Sequence, residues 1–224
     1  MENSLLIAGF GGQGVVLIGQ LLGYAASSAG KNATYYPAYG AEQRGGTANC
    51  TVVISDEEIG SPVVSKLDTV IVMNEPSLVR FAEWVKPGGT IIINSSLIQG
   101  GPDRADISTI RVPANEIAEK LGADKIANMV MLGSYLAVSN ALPVEAVIGM
   151  GRAPWTRRPE ASVIEQVMAI SGCLPLAGRQ FAALSGGEQQ RVQLARALAQ
   201  LWCDGTPRGW LFLDEPTSAL DLYH

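Results

Sequence analysis

The sequence predicts an α/β fold: a Rossmann-like layered, largely parallel sheet with helices on both faces, followed by a C-terminal helical and single-strand segment. Three observations predict it. From Ser4 to about Met150, short apolar runs alternate with longer stretches of helical spacing. A glycine loop, GFGGQG at 9–14, joins the first apolar run to the first helical one. Hydrophobic residues make up 47% of the 224, enough apolar surface for a proper core.

The elements follow in order. LLIAG at 5–9 is apolar throughout and reads as a buried strand; VVLIGQLLGYAASSAG after the loop carries helical spacing. ATYYP at 33–37 and ANCTVVIS at 48–55 are β-rich runs, and DTVIVM at 68–73 is a third. PSLVRFAEWV is the next helix, then TIIIN at 90–94 and ISTIRV at 107–112 are strands, with ANEIAEKLG and KIANMVMLGSYLAVSNAL as helices. Pro87-Gly88-Gly89 and Gly100-Gly101-Pro102 punctuate the series. Beyond it come a helix near 161–171, a glycine turn and helix from Ser185, and a strand WLFLD at 210–214.

Charge usage changes along the chain. Residues 1–150 hold five lysines and four arginines against fourteen acids, whereas residues 151–224 hold seven arginines, no lysine and seven acids. The switch falls around GMGRAPWTRRP, whose prolines and arginines predict an exposed connector open to trypsin at Arg152, Arg157 or Arg158. The parts are therefore divided into a 1–150 α/β domain and a 151–224 fragment. A net charge of −5 with no long basic tract argues against a DNA or RNA partner. Cys50, Cys173 and Cys203 form no CxxC pair, which fits a reducing cytoplasmic setting and neither a zinc site nor a disulfide framework. Residues 3–30 carry no charge, but GFGGQG breaks the run and no basic segment precedes it, so strand, loop and buried helix are expected rather than membrane insertion.

Two glycine stretches are candidate anion sites. Gly9, Gly11 and Gly14, with Gly12 between them, satisfy GxGxxG between strand and helix, where glycines let backbone approach a phosphate. Val15 and Val16 stand where a phosphate loop needs Lys and Ser/Thr, so this is no working Walker A. No acid closes the second strand to hold a ribose. Tight strand-to-helix packing and binding of a phosphate-bearing group both remain open. In EQRGGT, Arg44 beside Gly45 and Gly46 offers a cation with backbone donors; the alternative is that it pairs with Glu42 or another subunit.

AGFGGQGVVLIGQLL, YYPAYGAEQRGGTANCTVVIS and KIANMVMLGSYL together resemble, in order and spacing, the gamma subunit or domain of the 2-oxoacid:ferredoxin oxidoreductases, over roughly residues 3–150. The resemblance implies an α/β module packed against subunits that bind thiamine diphosphate and iron–sulfur clusters, assembling the complex and contributing to the coenzyme A side of its site. It implies other oxidoreductase subunits as partners. The scattered cysteines of this chain cannot themselves hold a cluster.

LSGGEQQRVQLARAL followed by WLFLDEPTSALD resembles the signature, Walker B and D-loop of ABC-transporter ATPases, and GRAPW with LDLYH is similar to the haem-importer branch. The resemblance implies that Asp214 would hold magnesium, Glu215 would be a vestigial base for the attacking water, and Ser185, Gly186 and Gly187 would cap the γ-phosphate of ATP on a partner subunit. A strand ending in two carboxylates offers a metal ligand and a base. The Walker A that these residues serve is missing, and His224 lies too close to Asp221 to be the switch histidine. The expectation is a chimera with no complete catalytic centre and no cofactor bound by the chain alone: a non-catalytic gamma-type module joined to an ABC-derived fragment. The alternatives are an ABC element acting in trans with a partner's Walker A, and a fold chimera without activity. A homo-oligomer is compatible with all three.

Overall fold

The structure, a computed structural model, describes residues 2–40, 46–152, 160–203 and 206–207. The predicted strand at 210–214, the sites Arg44, Gly45, Asp214 and Glu215, and His224 lie outside the described residues, as do Arg157 and Arg158. The chain divides into two compact units, one running to Gly23 and resuming over Lys31–Val138, the other comprising Tyr24–Gly30 and the residues from Ser139 onward.

The first unit is built on six strands: β1 (Glu2–Phe10), β2 (Asn32–Tyr39), β3 (Thr47–Ser55), β4 (Leu67–Val72), β5 (Val85–Asn94) and β6 (Ser108–Val112). Their order is β2-β3-β1-β4-β5-β6. Each holds one of the predicted apolar runs. The sheet is mixed. β1–β4, β4–β5 and β5–β6 run parallel, but β3 pairs antiparallel with both β1 and β2. The reason is length: only residues 40–46 separate β2 from β3, too few for the crossover that parallel neighbours require. The Pro87-Gly88-Gly89 turn is a bulge within β5, where Leu67 aligns with Val85 but Thr69 with Thr90.

Central β1 is buried from Leu5 to Ala8, as an apolar run covered on both faces must be. On one face Leu6, Ala8, Val70, Val72, Ile91 and Ile93 pack with Leu78 and Phe81 of α2 (Glu75–Phe81). On the other, Ile7 aligns with Cys50, which lies against Gly19 of α1 (Val15–Ser28) together with Tyr35. A side chain at Gly19 would collide with the Cys50 sulfur, so this glycine sets how closely α1 approaches the sheet. α3 (Ala114–Lys120) and α4 (Ala127–Val138) complete the unit. At the start of β4, Asp68 Oδ2 accepts from Ser4 N and Oγ at 2.8 and 2.7 Å, and Lys86 Nζ reaches its Oδ1 at 3.0 Å, tying β1, β4 and β5 together.

The second unit is helical. α5 (Val144–Gly149), absent from the sequence reading, buries Val144, Ala146, Val147 and Ile148. α6 (Ala161–Ile170) buries Val163, Ile164, Val167 and Met168, and α7 (Gly186–Leu201) contributes Val192, Ala195 and Ala199. A two-residue hairpin, β7 (Trp202–Cys203) with β8 (Thr206–Pro207), follows. The connector expectation is corrected at its start. Residues Met150–Arg152 form a 3-10 turn in which Gly151 abuts the Arg196 carbonyl, and half-buried Arg152 donates to the carbonyls of Ala199 and Trp202. Arg152 is therefore not an exposed tryptic site.

Candidate functional site

The glycine loop leaves the carboxyl end of β1, beside β4. The chain turns one way into α1 and β2, and returns on the other side of β1 to form β4, so the ends of β1 and β4 flank a topological switch point. Gly12 and Gly14 adopt φ of 99° and 72°, which L side chains rarely do; Gly11 is not in that region. A Cβ on Gly14 would also run into the Asn128 carboxamide, whereas one on Gly12 would meet open space. Gly9 is tight for another reason: its Cβ would stand 2.6 Å from Gln13 Oε1 and 2.9 Å from Met73 Cβ.

Three separated stretches converge here. Gly11 N donates to Gly46 O at 2.9 Å, drawing the end of EQRGGT onto the glycine loop. Asn128, 6% exposed at the start of α4, points its Nδ2 toward Gly14 O at 3.5 Å while its Oδ1 accepts from Met129 N, so KIANMVM closes the other side. Gly11 and Gly12 are exposed, Gly46 is buried, and no acceptor among the described residues meets the amides of Gly12 and Gly14. These donors lie at the start of α1, the positive end of its dipole, a position that suits an anion. Two other loop groups are already spent, since Gln13 N donates to Phe10 O at 3.1 Å and Gln13 Oε1 accepts from Phe10 N at 2.7 Å.

Gln13 and Asn74 were missed by sequence reasoning. Asn74 Nδ2 donates to Gln13 Oε1 at 3.1 Å, and Asn74 Oδ1 caps α2 by accepting from Ser77 N at 3.0 Å. Asn-Glu-Pro before a helical run is a readable capping signal. Nothing in a single sequence announces the pairing with Gln13.

In the second unit Ser185, Gly186 and Gly187 open α7, as expected of a glycine turn. Ser185 is the N-cap of a capping box: its Oγ accepts from Glu188 N at 3.3 Å, and Glu188 Oε2 accepts from Ser185 N at 2.7 Å. Arg179 reaches Glu188 Oε1 at 2.8 Å. Donation from the Ser185 backbone, then from its hydroxyl and from Arg179, holds the Glu188 carboxyl below its ordinary range. The serine is thus engaged within its own helix end, and a carboxylate already sits on the first turn.

The Cys50 thiol is pushed up to about 12 by burial, and burial also raises Cys173, so neither is a ready thiolate. Among the described residues no group of three His, Cys, Asp or Glu side chains could hold a metal ion, and no helix is long and apolar enough to cross a membrane.

Comparison with known proteins returns both parentages. The chain is 70% identical over 81 residues to the hemin import ATP-binding protein HmuV of Enterobacter cloacae, covering 36% of this chain and 31% of that one. It is 50% identical over 139 residues to ketoisovalerate oxidoreductase subunit VorA of Methanothermobacter thermautotrophicus, covering 61% of this chain and 28% of that one. The chain thus spans about a third of each of these relatives. 2-Oxoglutarate synthase subunit KorC of Methanothermobacter marburgensis is matched more fully, 40% identical over 153 residues, which are 65% of this chain and 82% of that one. In fold, the keto/oxoacid ferredoxin oxidoreductase gamma subunit of Geobacter sulfurreducens superposes with a TM-score of 0.61 at 21% identity, covering 89% of this chain and 95% of that one. The family description "pyruvate ferredoxin/flavodoxin oxidoreductase" matches residues 4–170. By that extent and the KorC coverage, the chain belongs to the pyruvate ferredoxin/flavodoxin oxidoreductase family.

Proposed function

We propose that the chain is a non-catalytic gamma-type module of a 2-oxoacid:ferredoxin oxidoreductase, whose full complex carries out oxidative decarboxylation to an acyl-CoA, and that an incomplete ABC-ATPase segment is fused to it in an engineered or artefactual chimera. The observation that carries this reading is the convergence of Gly11, Gly14, Gly46 and Asn128 at one end of the sheet. The three stretches that resemble the family are far apart in sequence and share one place in the fold. Gly12 and Gly14, in a loop shaped by Gly9, Gly11 and Gly46 and completed by Arg44 and Gly45, supply the proposed anion-binding set on the coenzyme A side of the complex. Thiamine diphosphate and iron–sulfur clusters are assigned to partner subunits. Co-expression of the full chain with the remaining subunits of a VorA- or KorC-containing enzyme tests the reading: a stable complex that retains the chain through gel filtration is expected, and failure of every such subunit to retain it overturns it.

A second reading rests on the 70% identity to HmuV. In it the 185–187 turn serves a nucleotide bound to a partner's Walker A, with Asp214 for magnesium and Glu215 as base. The capping box of α7 weighs against it, because the Ser185 hydroxyl already accepts from Glu188 N and a phosphate would have to enter beside the Glu188 carboxylate. Stimulated ATP turnover on mixing with an intact HmuV-type subunit, lost in Glu215→Gln, would establish this reading.

A further inference from the structure

The crevice between the carboxyl ends of β1 and β4 is closed by the chain's own carboxamides. Gln13 Oε1 takes the Phe10 amide at 2.7 Å, and Gln13 Nε2 reaches the Met73 carbonyl at 3.4 Å. Both backbone groups belong to strand ends that would otherwise face the crevice. Gly9 makes room for this, since the Gln13 oxygen stands 2.6 Å from where a Cβ at residue 9 would be. The same oxygen accepts from Asn74, whose own oxygen caps α2 at Ser77. α1 and α2 lie on opposite faces of the sheet, yet one chain of hydrogen bonds connects their starts. Asn74 is 6% exposed and Gln13 is half-buried, so water competes poorly for these bonds.

We propose that Gln13 and Asn74 form a clasp that locks the glycine loop to the first turn of α2, so that the loop cannot change shape without disturbing the α2 cap. The clasp is distinct from ordinary helix capping. Capping needs only the Asn74 oxygen, whereas the clasp needs its nitrogen to donate to Gln13. Any group entering the crevice must first displace the Gln13 carboxamide, and its arrival is then transmitted to α2 on the other face.

The two roles are separated by Asn74→Asp in the full chain, which preserves a strong cap and removes the donor. Hydrogen–deuterium exchange under native conditions reads both ends. With the clasp, Asn74→Asp leaves the amide of Ser77 as protected as in the unmodified chain, while residues 10–16 exchange about fivefold faster, the scale of one lost hydrogen bond. Gln13→Ala loosens the same loop segment and also speeds exchange at Ser77. Over residues 10–16 the double variant is no looser than Gln13→Ala alone, because the bond that Asn74→Asp removes is one of the three already lost with Gln13. Unchanged exchange over residues 10–16 in Asn74→Asp, or additive effects in the double variant, would overturn the clasp. Should Gln13→Ala fail to fold, the Asn74→Asp measurement decides alone.

Discussion

At the residue scale, the glycine loop separates three constraints that a motif treats as one. Gly12 carries a positive φ with open space around it, Gly14 carries a positive φ against Asn128, and Gly11 has no positive φ and gives its amide to Gly46. Substitution by alanine is therefore expected to do more damage at Gly14 than at Gly12. Gly14→Ala should cost about 2–3 kcal/mol and Gly12→Ala about 1 kcal/mol, read as thermal unfolding of the purified chain. Equal shifts for the two would remove the distinction. Asp68 makes a second residue-scale prediction. Burial opposes its charge, but donation from Ser4 and Lys86 outweighs burial and holds the carboxyl below its ordinary value. With the folded pKa below the unfolded value of about 3.9, its contribution is fully present above that value and is lost as pH falls through the lower folded value. Acid titration of unfolding should show this loss in the parent chain and a flatter profile in Asp68→Asn.

At the scale of elements, α7 depends on its first turn, because its buried face is a narrow line of Val192, Ala195 and Ala199. Ser185→Ala should destabilise that helix by about 1 kcal/mol, measured as faster exchange in its first turn, while Ser185→Asp should preserve it. The capping box was legible as Ser-Gly-Gly-Glu before a helical run, and the six strands and the long helices were legible from their periods. α5 was not: VEAVIG has six residues, too few to display a helical period after Pro143. The antiparallel placement of β3 was readable only from the short link at 40–46, since period alone does not distinguish pairing direction. The meeting of Gly14 with Asn128 was beyond reach, because a contact across 114 positions leaves no local pattern.

At the scale of the whole molecule, the two parentages predict unequal competence. Alone, the chain should hydrolyse no ATP above background, because Val15 and Val16 replace the Lys and Ser/Thr of a phosphate loop. Steady-state turnover abolished by Glu215→Gln would contradict this. Within the second unit, residues on either side of the junction expected near residue 150 are joined through main chain: Val144 N donates to Arg179 O at 3.0 Å, Phe181 N to Leu142 O at 3.2 Å, and Pro143 bridges Gln180. Such bonds ask nothing of side-chain identity. Recombination between unrelated genes would be tolerated at a seam of this kind, because the incoming segment need bring only a backbone of suitable path and a few apolar residues. Phe181→Asp, which charges a buried ring position, should nevertheless unfold the seam, read as loss of the cooperative thermal transition, because main-chain bonds cannot offset a carboxylate stranded among apolar neighbours.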